Sequence, residues 1–84
     1  MNEQNMLNRN IFEQLKFIFV DILRCDESDI NENSSSENLD QWDSLAHIKL
    51  ILEIERQFVI KFSLGELQNL KSIKDLVVLV ETKL

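Results

Sequence analysis

Apolar residues recur at helical spacing in separate segments of the chain, and that periodicity confines it to an α-helical bundle. Ile11, Leu15, Ile18, Phe19, Ile22 and Leu23 fall on one face and predict a first helix over roughly residues 10 to 24. Asn10, with Glu13 three residues on, has the spacing of its N-terminal cap. A second helix is expected from Asp43 or Ser44 to Gln57 or Phe58. Leu45, Ile48, Leu50, Ile51, Leu52 and Ile54 cover more than half of its circumference, leaving Ala46, Lys49, Glu53 and Arg56 on the remainder. So broad an apolar arc predicts a central position with more than one neighbour. Ser63 and Glu66 have capping-box spacing and start a short third helix, although Gly65 inside it weakens the propensity by about 1 kcal/mol. Ser72 and Asp75 start a fourth, with Ile73, Leu76, Val77 and Val80 on one face. The run Val77 to Val80 also suits a strand, but the cap and the period favour a helix.

Without proline and with one glycine, the usual punctuation is missing, and connections must be read from polar clusters. The stretch DESDINENSSSENLDQW is dense in residues whose short side chains compete for backbone hydrogen bonds. It predicts a long loop pinned to the core by Ile30 and Leu39. The expected fold is therefore all-α: three main helices and a short one in a single domain over residues 1–84, with residues 1–8 as a flexible tail. A chain of 84 residues buries only about two thirds of the surface its unfolded form exposes, so one modest core is the limit.

Charge and composition narrow the function. A net charge of −6 disfavours nucleic acid, whose binders depend on Lys and Arg contacts to phosphates. No apolar run approaches the roughly 20 residues of a membrane span, and MNEQNMLNRN lacks the basic and apolar regions of a secretory signal. A cytoplasmic protein with no membrane association is expected. Cys25 is the only cysteine, a small filler at a helix end, and His47 the only histidine, a helical residue with no paired nucleophile. No catalytic set and no metal-ligand cluster emerges. Asp29, Asn31 and Asn33 occupy the first, third and fifth positions of a calcium-loop pattern, but Ser34 stands where the sharp turn needs glycine, and Asp40 replaces the bidentate Glu. A turn-rich solvated loop is the expectation there.

Ser44 carries two readings. It suits a cap, its oxygen accepting from a free N–H, with Asp43 adding favourable charge at the positive helix end. The same N–H groups and dipole equally suit a phosphate attached to that hydroxyl. Residue type does not choose between them.

The sequence DSL at 43–45, opening a helix after a long polar loop and followed by AHIKLILEIERQFVIKF, resembles the acyl carrier proteins. The similarity runs from about Ile11 to Val80, and Leu15, Ile18, Phe19, Leu23, Ile30, Ile48, Ile54, Phe58, Phe62, Leu70 and Ile73 keep the apolar register of the family's core. The resemblance implies that Ser44, flanked by Asp43 and Leu45, carries 4'-phosphopantetheine as a phosphodiester. It implies a monomeric, non-catalytic carrier of acyl thioesters that is itself a substrate: of a phosphopantetheinyl transferase, and of acyl ligases, acyltransferases or synthases. A D-alanyl or other aminoacyl cargo, or a helical interaction module in which Ser44 is only a cap, stands as the alternative. In the family the exposed face of the second helix meets partners through acidic residues. Here Lys49 and Arg56 join Glu53 on that face, with Leu45 and Leu52 as apolar contacts. That departure points to a specialised lipid, polyketide or related pathway with a dedicated ligase or acyltransferase.

Overall fold

The computed structural model describes residues 8–84; residues 1–7, and with them all of the expected tail except Asn8, lie outside the described residues. Four α-helices follow in order: α1 Arg9–Leu23, α2 Ser44–Phe58, α3 Leu64–Gln68 and α4 Ile73–Lys83. The long connection between α1 and α2 holds a single 3-10 turn at Glu27–Asp29. No helix among the described residues is long and apolar enough to cross a membrane.

The cap of α1 lies two residues earlier than the sequence suggests. Asn8, in extended conformation, accepts the Ile11 N–H on Oδ1 at 3.2 Å, and Asn10 lies within the helix. A cap needs a non-helical backbone beneath its side chain, and the chain turns helical at Arg9. Both predicted capping boxes form as expected. Ser63 and Glu66 exchange bonds at 3.2 and 2.8 Å, and Ser72 and Asp75 at 3.4 and 3.2 Å. The valine-rich run of α4 is helical, since Ile73, Leu76, Val77 and Val80 can all be buried completely on one face.

One core joins these elements. α1 packs closely on both α2 and α4, so α1 holds the central position that the sequence suggests for α2. The reason lies in the distribution of α2's apolar residues. Leu50, Ile51 and Ile54 are buried and Ala46 packs against the core, whereas Leu45, Ile48 and Leu52 face solvent at 62%, 56% and 60% exposure. Ile48, expected in the core, is therefore a surface residue, and Ala46, expected on the polar side, lies inward. A small side chain at 46 lets α2 approach its neighbours closely, which turns the bulkier Ile48 outward. Phe58, Phe62 and Leu70 pack at the margin of the core, half-buried.

The polar loop is anchored as predicted, at Ile30 and Leu39, and additionally at Trp42, which is 4% exposed. Its polar groups largely satisfy one another. Ser34, the one buried polar residue among the described residues, accepts the Asn31 N–H at 2.9 Å on Oγ and donates to the Asp29 carbonyl at 3.3 Å. The loop also holds the start of α4, whose Ile73 and Lys74 N–H groups donate to the carbonyls of Ser34 and Glu32 at 3.0 and 3.1 Å. First-turn N–H groups have no partner within their own helix, so this contact fixes α4 and the loop together.

Trp42 closes the loop onto α2. Its ring meets Phe19 of α1 edge-on at 4.9 Å, and its Nε1–H donates to His47 Nδ1 at 3.0 Å, with the two rings nearly parallel. Burial pushes the His47 imidazole below its ordinary value, and the bond from Trp42 requires Nδ1 to be unprotonated. A neutral form favoured by folding contributes stability that is complete above about pH 6.5 and is lost as pH falls toward the depressed native value. The denaturation midpoint of the wild type is accordingly expected to fall between about pH 7 and 5.5. In His47→Gln, whose side-chain oxygen accepts from the indole without titrating, that dependence should flatten, as urea titrations at several pH values would show. Phe19→Ala empties a fully buried site and should cost about 3–5 kcal/mol. Phe17→Ala, on a ring 68% exposed, should stay within about 0.5 kcal/mol in the same assay.

Candidate functional site

The start of α2 is built by Asp43. With φ −95° and ψ −172° it is extended; its Oδ1 accepts the Ala46 N–H at 2.9 Å, and its carbonyl accepts the His47 N–H at 2.8 Å. Asp43 is thus the cap and Ser44 the first helical residue. This placement separates the two sequence readings of Ser44. A side chain already on helical backbone is not the one that folds over the first-turn N–H groups, and the Ser44 hydroxyl makes no hydrogen bond among the described residues. It stands exposed, on a helix end fixed by the Trp42–His47 bond one turn below.

The surroundings suit an anionic ester. The Ser44 and Leu45 N–H groups belong to the first turn, where no intrahelical acceptor exists and the helix dipole is positive. Beside the hydroxyl runs an open groove of about 590 Å³ lined by Ser36, Trp42, Asp43, Ser44, His47, Ile48 and Leu70. Its size lies within the range of small-molecule sites, and its lining joins an apolar wall to polar groups at the Ser44 end. The exposed hydroxyl, the first-turn N–H groups and the mixed lining of the groove fit a phosphate ester that bears a partly apolar chain.

The other residues singled out in the sequence are dispersed. Leu45, Lys49, Leu52 and Arg56 lie exposed on α2. Glu53 is held within the helix: Arg56 Nε donates to Oε1 at 3.2 Å and Gln57 Nε2 to Oε2 at 2.7 Å. The Arg56 hydrogen bond and then that of Gln57 hold the Glu53 carboxyl below the ordinary carboxylate value. Cys25 follows the left-handed Arg24 at the end of α1, half-buried. Burial, and then the Asp29 carboxylate, push its thiol up, which disfavours the nucleophilic thiolate. In the calcium-like loop Asp29 Oδ2 accepts the Asp26 N–H at 3.3 Å, and Asn31 Oδ1 the Asn33 N–H at 2.8 Å. Those oxygens serve the loop's own turns. Among the described residues, no group of three or more His, Cys, Asp and Glu could hold a metal ion. Sequence reasoning missed the Trp42–His47 bond. The available signal was the indole donor itself, which needs an acceptor wherever the ring is buried.

Comparison with known proteins gives the family. The family model described as phosphopantetheine attachment site matches residues 13–80. The acyl carrier protein of Coprothermobacter proteolyticus is 35% identical over 79 residues, covering 94% of this chain and 96% of that protein. That of Chlamydia felis is 35% identical over 71 residues, covering 84% and 91%. The solution structure of holo acyl carrier protein from Geobacter metallireducens superposes with a TM-score of 0.79 at 40% identity, over 86% of this chain and 83% of that one. A family model over most of the chain, near-complete coverage of these relatives and a shared fold lead to one assignment: the chain belongs to the acyl carrier protein family, whose cofactor is 4'-phosphopantetheine.

Proposed function

We propose that Ser44 is the attachment residue, and that the protein is a non-catalytic carrier holding acyl groups as thioesters for partner enzymes. The observation that supports this most directly is the Ser44 hydroxyl itself: exposed, without a hydrogen bond among the described residues, and relieved of capping by Asp43. In the modification, the hydroxyl oxygen bonds to the phosphorus that bears pantetheine as the bond to the nucleotide half of coenzyme A breaks. The hydroxyl proton must leave. In this reading the transferase supplies the base, with Asp43 Oδ1 serving as the helix cap for the Ala46 N–H and His47 Nδ1 accepting from the Trp42 indole. The chain is in this sense a substrate. When bound, the prosthetic group supplies a thiol on a flexible tether, which replaces diffusion of free acyl groups by a high local concentration at each enzyme.

The residues of this chain position that tether. Trp42 and Asp43 fix the helix end, the first-turn N–H groups would hold the phosphate, and the groove walls at Ile48 and Leu70 would offer apolar surface to the arm or its cargo. The solvent face of α2, with Leu45, Lys49, Leu52, Glu53 and Arg56, forms the partner-binding surface in this reading. Its mixed charge supports a specialised lipid or polyketide pathway with a dedicated ligase, acyltransferase or synthase. A monomer in the cytoplasm belongs to the same proposal.

Incubation with coenzyme A and a phosphopantetheinyl transferase is expected to add one phosphopantetheinyl group, read by intact mass, and Ser44→Ala should abolish the increment. An undiminished increment in Ser44→Ala would overturn the assignment. Stability separates the roles of the two neighbours. Ser44→Ala should leave the unfolding free energy within about 0.5 kcal/mol, because it removes no capping bond. Asp43→Ala should cost about 1 kcal/mol in urea unfolding, because it does.

A further inference from the structure

The surface of α2 continues beyond the residues considered so far. Leu45, Ile48 and Leu52, each more than half exposed, follow the spacing of one helical stripe, and the stripe ends at Val59, which is 87% exposed. Ile48 borders the groove beside Ser44, while Leu52 opens a second groove of about 500 Å³ shared with Glu55, Arg56, Val59, Ile60 and Lys61. One apolar track therefore leads from the candidate attachment site to the far end of the helix.

Val59 is the residue the fold explains least. It is the C-cap of α2 in left-handed conformation at φ 56°, a position where glycine is usual and where a β-branched side chain is strained. Exposure leaves that strain uncompensated by burial. The other left-handed cap, Arg24 with φ 58°, is not β-branched. An observed outlier of this kind directs attention to function, and what Val59 provides is apolar surface at the end of the track.

From Leu45 to Lys61 the exposed charged side chains are basic. Glu53 is occupied by Arg56 and Gln57, and Glu55, with its side chain 12% exposed, accepts the Phe62 N–H at 2.8 Å. Lys49 is exposed and in no ion pair among the described residues. Arg56 keeps 71% of its side chain exposed while bound to Glu53, and Lys61 keeps 88%, its ammonium 4.0 Å from Glu55. The negative charge lies elsewhere: between Asp26 and Asp43 the chain has seven acidic residues and no basic one.

We propose that the track from Leu45 to Val59 docks a partner protein whose apolar depression is bordered by carboxylates, which meet Lys49, Arg56 and Lys61. The proposal deepens the carrier reading by stating the chemistry of the partner, and it is contrary to recognition by a basic surface. Complementary charge would accelerate encounter and reject basic surfaces at the same face. An anionic membrane also attracts apolar and basic faces. It is the weaker match, because an extended anionic surface would also face the seven acidic residues preceding α2, whereas carboxylates bordering a depression of a protein need meet only the track.

The test uses two synthetic amphipathic helical peptides with the same leucine face, one with glutamates and one with lysines at the positions flanking that face, titrated into the full-length 15N-labelled protein. The acidic peptide should shift the amides of residues 45–61 and lose its effect in high salt. Its affinity should fall at least tenfold in Lys49→Glu/Lys61→Glu, with the spectrum confirming the native fold. Val59→Gly should bind several-fold more weakly while melting at a higher temperature than wild type. The proposal is overturned if the lysine peptide occupies α2 as well as the acidic one, if neither shifts it, or if anionic phospholipid vesicles bind there and the acidic peptide does not. Transferase loading of the wild type at Ser44 is measured separately. Its failure would remove the carrier reading and leave the docking result to stand on the peptide data.

Discussion

Trp42 is the point at which three parts of the molecule are made to agree. Its ring lies against Phe19 of the central helix, its backbone N–H closes a turn onto the Leu39 carbonyl at 3.0 Å, and its indole N–H reaches His47 in α2. Burial of a ring this size supplies a large apolar contribution, and its single polar atom is satisfied by a neighbouring helix. The end of the loop and the start of α2 are thereby set relative to the core. Asp43 follows directly and takes the cap, and Ser44 follows Asp43 and is left free. The geometry at Ser44 is thus a consequence of a packing decision two residues upstream.

A small domain has little energy with which to order a long polar connection, and here the connection orders itself mainly through short-range bonds. Asn, Asp and Ser side chains close its turns, Ile30 and Leu39 reach into the core, and Ser34 is buried with both its capacities used. The same segment then supplies carbonyls to the first N–H groups of α4. Loop and bundle are coupled at both ends, which keeps the face holding Ser36, Ser44 and Leu70 as one surface although its residues come from separate elements.

How much of this was legible in the sequence depended on how local the cause was. The two capping boxes, the apolar face of α4 and the anchors Ile30 and Leu39 follow from spacing and residue chemistry within a few positions and appear as read, while the face of α1 adds the buried Phe12 and leaves Ile22 half-buried. The cap of α1 did not, because Asn8 and Asn10 are equally suitable by type and the choice rests on where the backbone turns helical. The orientation of α2 was hidden for a different reason: its apolar arc is wider than its neighbours can cover, and periodicity cannot say which half the core takes. Ala46 inward and Ile48 outward is a tertiary decision. Likewise, the motif around Ser44 was visible, but the division of labour between Asp43 as cap and Ser44 as free hydroxyl required backbone angles.

The pairing of Trp42 with His47 has an optical consequence. The chain contains one tryptophan, one histidine and no tyrosine, and folding brings the indole nitrogen within 3.0 Å of the imidazole. Fluorescence excited selectively in the indole band therefore originates from a single address, the turn from which Ser44 projects. The molecule carries its own label-free reporter there, placed where changes at the attachment site, in the groove or at the neighbouring helix end would first alter the environment of an emitting ring.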